Sequence, residues 1–191
     1  MFLQRYNSLL LQTGCRSIFN LAKATGSLKG KSFQNYTIVK KFPYPQPLVY
    51  KLISRVDLYH EFIPYCTHSF ITKHDDVGEP SIAGLRVGFQ AFDEEFSCNL
   101  TCENPNLVIA ESITHSLFSF LETEWKIKET VEGKSCVAEL NLKYEFKSDL
   151  YNHVSSLFAR KVANLMTKAF ERRAFEVTHD SNLIKEYDIE A

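Results

Sequence analysis

Residues 136–146 read CVAELNLKYEF, and what matters in them is parity. Cys136, Ala138, Leu140, Leu142, Tyr144 and Phe146 lie on one side of an extended chain, and Glu139, Asn141, Lys143 and Glu145 on the other. A period of two describes a strand with one covered face and one wet face. The pattern recurs upstream, where Leu121, Trp125 and Ile127 oppose Glu122, Glu124 and Lys126, and Phe96, Cys98, Leu100 and Cys102 oppose Glu95, Asn99 and Glu103. Strands of this kind form an antiparallel sheet whose apolar face needs a cover.

The cover follows in the chain. From about Leu150 to Val177, Val154, Leu157, Phe158, Val162, Leu165, Met166, Ala169 and Phe170 make an apolar stripe at helical spacing. Ahead of the sheet, Phe33 to Phe42 reads as a first strand ended by Pro43, Pro45 and Pro47, which cannot donate to a ladder. Pro47 suits the first turn of a helix reaching Arg55, and Asp57 is placed to cap a second short helix that Pro64 stops after Phe62. One sheet, one long helix across it and two short helices after the first strand make an α+β fold. Periodicity reports burial alone, so the inward positions fit a packed core or the lining of a ligand space.

Charge excludes some functions and suggests an address. The formal net charge of -1 hides an asymmetry, since residues 1–32 carry Arg5, Arg16, Lys23, Lys29 and Lys31 and no acid, and the first acid is Asp57. The remainder is acidic, which argues against a nucleic-acid surface spread over the domain, because phosphate neutralisation needs clustered Lys and Arg. On a helical wheel Arg5, Gln12, Arg16 and Lys23 face one way and Leu3, Leu10, Ile18 and Leu21 the other. A basic amphipathic N-terminus without acids predicts a mitochondrial presequence over residues 1–32, cleaved between about Ala24 and Ser32. A domain over 33–177 and a C-terminal tail over 178–191 complete the expected organisation. The five Cys include no CxxC pair and are expected as core thiols, Cys98 and Cys102 on one strand face. No apolar run reaches the 18 or so residues of a spanning helix.

Candidates for catalysis are few. His68 and His115 lie in strand-like segments, and Glu111 shares parity with Ile109 and Ile113, so each is a candidate for pointing inward, with a surface position as the simpler alternative. No HxxxH, GxSxG, paired carboxylate at metal-ligand spacing or Gly-rich phosphate loop occurs. The expectation is therefore no catalytic residue, no catalytic cofactor and no metal site.

Three stretches resemble a known family. They are Val56-Asp57-Leu58-Tyr59 with Phe62-Ile63-Pro64-Tyr65-Cys66, then Phe118 with Leu121 and Trp125, and then Tyr144-Glu145-Phe146-Lys147-Ser148 leading to Met166, Ala169-Phe170-Glu171 and Arg173-Ala174. In order and spacing, from about Phe33 to Val177, the chain resembles the coenzyme Q-binding proteins of the START-like superfamily. One departure is Tyr65, where the family commonly has Trp. The resemblance implies a helix-grip fold, a curved sheet wrapped around the C-terminal helix, and a non-catalytic protein that binds ubiquinone at the mitochondrial inner membrane, on its matrix side. It supports respiration and quinone biosynthesis there, with respiratory complexes or the quinone biosynthetic complex as candidate partners. An oligomer is left open.

On that reading the cavity is lined by Phe62, Ile63, Phe89, Phe96, Phe118, Leu121, Trp125, Leu142, Tyr144, Phe158, Val162, Leu165, Met166 and Phe170, and Tyr144, Trp125 and His68 are the donors available to the quinone carbonyls. Burial of the isoprenoid tail supplies the drive, roughly 25 cal/mol per Å². A compact domain of this length has a radius of gyration of roughly 15 Å, too small for a long tail, so the remainder of the tail is expected in the membrane or a partner. The Pro64-Tyr65 loop and a Phe118-Ser119-Phe120 turn are candidate bilayer contacts. Bacterial relatives that associate with ribosomes suggest a protein-interaction factor as the alternative, and a cyclase-type enzyme ranks third.

Overall fold

Seven antiparallel strands in the order β1-β7-β6-β5-β4-β3-β2 form the frame of the computed structural model. The structure describes residues 34–89, 92–115, 118–130, 133–147 and 155–189; the side chains of 89, 92 and 155–159 also fall outside the description. The described residues fall within one compact unit, Ser32–Ala191. The expected presequence over 1–32 lies outside the described residues.

The first strand, β1 (Gln34–Phe42), pairs with β7 (Cys136–Phe146) rather than with its sequence neighbour. Between them β2 (Cys66–His74), β3 (Pro80–Phe89), β4 (Phe92–Glu103), β5 (Leu107–Ser112) and β6 (Phe118–Glu129) run as a meander. The sheet is curved, with β1 and β2 as its two edges. Its outward face is polar: on β7 and β6, Lys143 reaches Glu122 at 2.6 Å, and Asn141 donates to Glu124 at 3.2 Å. On that face Gly84 of β3 lies directly under the Phe70 ring of β2, a contact that a Cβ would obstruct.

The helices follow the prolines. Helix α1 (Gln46–Ser54) starts beside Pro45, with Pro47 in its first turn, where a missing N–H costs nothing. Gln46 is buried and donates to the carbonyl of Ile127 at 2.8 Å, fixing α1 to β6. A 3-10 turn (Val56–Leu58) and the short α2 (Tyr59–Phe62) come next. Asp57 does not cap α2 as expected. It sits inside the 3-10 turn, where its carboxylate accepts from Arg55 Nε at 3.0 Å and Nη2 at 2.9 Å. The long helix α3 (Ser155–His179) lays Ala163, Ala169, Phe170, Ala174 and Val177 on the sheet. Small residues among these let the helix backbone approach closely.

In the expected C-terminal tail, residues 178–191, the described part, up to residue 189, is ordered. Helix α3 continues to His179, α4 (Ser181–Glu186) follows with Asp180 as its N-cap, and Tyr187 is fully buried. The anchor is Arg173, whose side chain is only 8% exposed. It pairs with Glu61 of α2, donates from Nε to the Tyr187 hydroxyl at 3.1 Å, and lies over the rings of Phe62 and Tyr187. Arg55 adds a bond from Nη1 to the Glu186 carbonyl at 2.8 Å. Burial pushes the Tyr187 hydroxyl up to about 12, opposed in part by Arg173.

Candidate functional site

The strand registers convert the sequence alternation into rows across the inward face. One row runs Tyr144, Leu121 across β7 and β6, and another runs Leu140, Trp125, Val108 across β7, β6 and β5. All five side chains are buried. Between these rows lies Tyr36, Leu142, Thr123, Ala110, from β1 to β5, and every member is half-buried. Between two buried rows, these inward side chains keep part of their surface exposed, so the described side chains do not close over the centre of the concave face. Val162 and Met166 on α3 are half-buried as well.

Two aromatic clusters flank this middle row. At one end Phe118 stacks on Phe146 at 5.0 Å and meets Phe96 at 5.6 Å and Tyr144 at 6.3 Å, edge to face. At the other, Phe170 of α3 meets Tyr59, Phe62 and Trp125 at 5.4, 5.4 and 5.5 Å, all edge to face. Edge-to-face contacts of this kind add to area burial and fix the rings rigidly. Tyr59 donates to the Ile53 carbonyl at 2.5 Å, and burial holds its hydroxyl well above the usual range. The interior is thus an apolar enclosure with stiff aromatic ends.

The structure brings Phe62, Ile63, Phe96, Phe118, Leu121, Trp125, Leu142, Tyr144, Val162, Met166 and Phe170 onto or beside the inward face. The side chains of Phe89 and Phe158 lie outside the described residues. Leu165 departs from the expectation: it is 36% exposed, because the helix buries Ala163, Ala169 and Phe170 and turns position 165 outward. His68 departs too. A bulge between Cys66 and His68 shifts the parity of β2, so Cys66 and Ser69 turn inward and His68 faces solvent. Glu111 is exposed because β5 is registered through Val108 and Ala110, and His115 is exposed as well. The segment Phe118-Ser119-Phe120 is the start of β6 and not a turn, and Phe118 packs inward. Tyr65 does stand out, 45% exposed in the loop before β2.

Thr123 was missed from the sequence, although it shares parity with Leu121 and Trp125. It places a hydroxyl in the middle of the unfilled row, and none of the described residues accepts or donates to it. The Ser69 hydroxyl, by contrast, donates to the Asp57 carbonyl at 2.8 Å and accepts from the His60 amide at 3.0 Å, so the nearby Ser and His hold a turn together. Among the described residues no group of His, Cys, Asp and Glu is arranged to hold a metal ion, and no helix is long and apolar enough to cross a membrane.

A concave antiparallel sheet gripping one long C-terminal helix around an apolar interior is the START-like architecture. Solved structures share it: a START superfamily protein from Mycobacterium smegmatis superposes with a TM-score of 0.68 at 17% identity, over 75% of this chain and 98% of that one. The Zhui aromatase/cyclase from a Streptomyces species does so at 0.67 and 11% identity, over 79% and 98%. Residues 42–171 match the family described as polyketide cyclase / dehydrase and lipid transport. Within it, the chain belongs to the family of the mitochondrial coenzyme Q-binding proteins COQ10. It is 40% identical over 167 residues to the protein of that name from Saccharomyces cerevisiae, covering 85% of this chain and 79% of that one. It is 33% identical over 141 residues to the Schizosaccharomyces pombe protein, covering 73% and 85%. A more distant relative is the ribosome association toxin RatA of Pseudomonas aeruginosa, 27% identical over 135 residues, covering 69% and 89%.

Proposed function

We propose that this protein binds coenzyme Q without catalysis, as a carrier or chaperone that serves respiratory electron transport and quinone biosynthesis. We place it in the mitochondrion, peripheral to the inner membrane on the matrix side, with ubiquinone as its ligand and COQ10 as its pattern. The observation that carries the reading is the half-buried row Tyr36, Leu142, Thr123, Ala110 between two buried rows. It leaves room for an apolar guest and offers the Thr123 hydroxyl near its centre. The isoprenoid chain supplies apolar area to bury, and a quinone carbonyl accepts a hydrogen bond from Thr123.

Aromatic clusters at both ends of the row suit a flat ring and a branched tail better than a flexible acyl chain. The residues the sequence offered for chemistry, Glu111, His68 and His115, all face solvent, which supports binding over catalysis. The test is to purify the protein, extract it with organic solvent and weigh bound quinone by mass spectrometry. Stoichiometric ubiquinone is the expected result. A lipid-free protein that also fails to take up added ubiquinone overturns the reading.

The likeness to RatA favours a second reading, a ribosome-associated factor. Co-sedimentation with mitochondrial ribosomes by a quinone-free protein would select it.

A further inference from the structure

Charge is unevenly spread over residues 33–191. Residues 33–191 contain 17 Lys and Arg against 23 Asp and Glu, yet the outward side of α3 is basic. Lys161, Lys168, Arg172 and His179 are spaced 7, 4 and 7 residues apart, which aligns them in one stripe, and all are exposed. Leu165 and Phe175 emerge on the same side, 36% and 55% exposed.

The acids nearby are already engaged. Glu171 leans toward β1, where Lys40 meets it at 2.8 Å, and Glu176 lies 3.7 Å from Arg172 and 3.6 Å from Arg173. Neither Lys161 nor Lys168 has an ion-pair partner among the described residues. Lys168 and Arg172, one turn apart, repel each other and weaken the helix. An exposed helix on an acidic domain would ordinarily mix both signs.

Arg172 also donates to the Phe62 carbonyl at 3.3 Å, which sets the loop after α2 beside the stripe. That loop carries exposed Tyr65 with its backbone in the left-handed region, φ 68°. A bulky aromatic held there is strained.

We infer that the outward face of α3, with the Tyr65 loop, docks the protein on an anionic phospholipid bilayer. The cations sit at headgroup depth and Leu165, Phe175 and Tyr65 reach the acyl boundary. A nucleic-acid backbone would match the cations but leave the apolar tips uncovered. The inference rests on the carrier reading only for its purpose, which is to bring the interior to the phase that dissolves the quinone tail.

The test uses a local reporter, so that binding through residues 1–32 does not mask the answer. The chain has one Trp, Trp125, which is buried, so Phe175→Trp adds an exposed reporter on the stripe. With vesicles of phosphatidylcholine and phosphatidylglycerol in the full-length protein, the new emission shifts to the blue, is quenched by brominated lipid and recovers in high salt. With pure phosphatidylcholine it does not change. Lys161→Glu with Lys168→Glu weakens partitioning at least about 30-fold, while far-ultraviolet circular dichroism stays that of the parent. Four results overturn the inference: vesicle binding that leaves the reporter unmoved, an equal response to neutral vesicles, an equal response in the charge-reversed protein, or a response to RNA but not to vesicles. Quinone extracted from the same preparations reports the carrier reading separately, since the reversed lysines lie off the inward face.

Discussion

Replacing Arg173 by Met keeps an apolar stem over Phe62 and Tyr187 but removes every polar tie between α2, α3 and the C-terminal segment that runs through this side chain. The Tyr187 hydroxyl, on a fully buried residue, loses its donor at 3.1 Å. An unsatisfied buried hydroxyl costs about 1–3 kcal/mol. The ion pairs contribute less than a fully buried set would, because Glu61, Glu176 and Glu186 are 32%, 40% and 36% exposed, and solvent screening leaves about 1 kcal/mol for the three together. Arg173→Met should therefore destabilise the protein by about 2–4 kcal/mol in urea unfolding. Amide exchange over residues 181–187 should accelerate more than over β6 and β7. Adding Tyr187→Phe removes the stranded hydroxyl and should restore about 1 kcal/mol. A loss under about 1 kcal/mol with unchanged exchange at α4 would refute this account, leaving the segment held by the packing of Leu183, Ile184 and Tyr187.

Thr123→Val should leave unfolding within about 1 kcal/mol of the parent and weaken ubiquinone binding about 2- to 13-fold, the worth of one net hydrogen bond, by fluorescence titration. Equal affinity would remove Thr123 from the site. Burial pushes the Cys98 thiol up to about 12 and those of Cys66, Cys102 and Cys136 up to about 11. Folded pKa values above the unfolded value favour the protonated native state, so this contribution is complete below about pH 8.5 and is lost as pH rises toward 11 to 12. Urea midpoints taken across that range should fall, and all four thiols should resist alkylation at pH 8 until the chain unfolds. Gly84→Ala puts a Cβ 2.6 Å from Phe70 Cε2 and should cost about 1–3 kcal/mol, relieved by Phe70→Leu in the same chain; equal stability of all three proteins would show the ring free to move aside.

How much of this was legible beforehand depended on whether a residue's surroundings were set locally. Strand β7 runs over the stretch, Cys136–Phe146, that alternation marked out, since period-two burial needs no knowledge of the partner strand. Helix α1 starts at Gln46, one residue before the expected Pro47. His68 failed because a single bulge reverses parity, and nothing in Cys66-Thr67-His68 announces a bulge. For Glu111 the parity of Ile109 and Ile113 left an inward and a surface position both open, and the pairing of Val108 with Trp125 is what selects the surface one. Thr123 has the inward parity, but a polar residue between Leu121 and Trp125 breaks the apolar alternation by which the sequence marks an inward position. Leu165 belongs to the apolar stripe by helical spacing, but it lies at the stripe's edge, and the helix presents Ala163, Ala169 and Phe170 to the interior instead. The buried end of the chain was invisible because Arg173 and Tyr187 look like surface residues until Glu61 is brought across from α2.

The sheet has two unjoined edges, β1 and β2, and the interior between them is closed by helices instead of by an eighth strand. On the β1 side the cross-tie among described side chains is Lys40 to Glu171, a half-exposed ion pair of small worth. Widening that seam would slide side chains past one another and break no ladder hydrogen bond, so the cost scales with the apolar area uncovered and not with the number of strand pairs lost. Opening of that seam would therefore expose the interior while all seven strands stay paired, and would give the proposed ligand a route that costs no sheet structure.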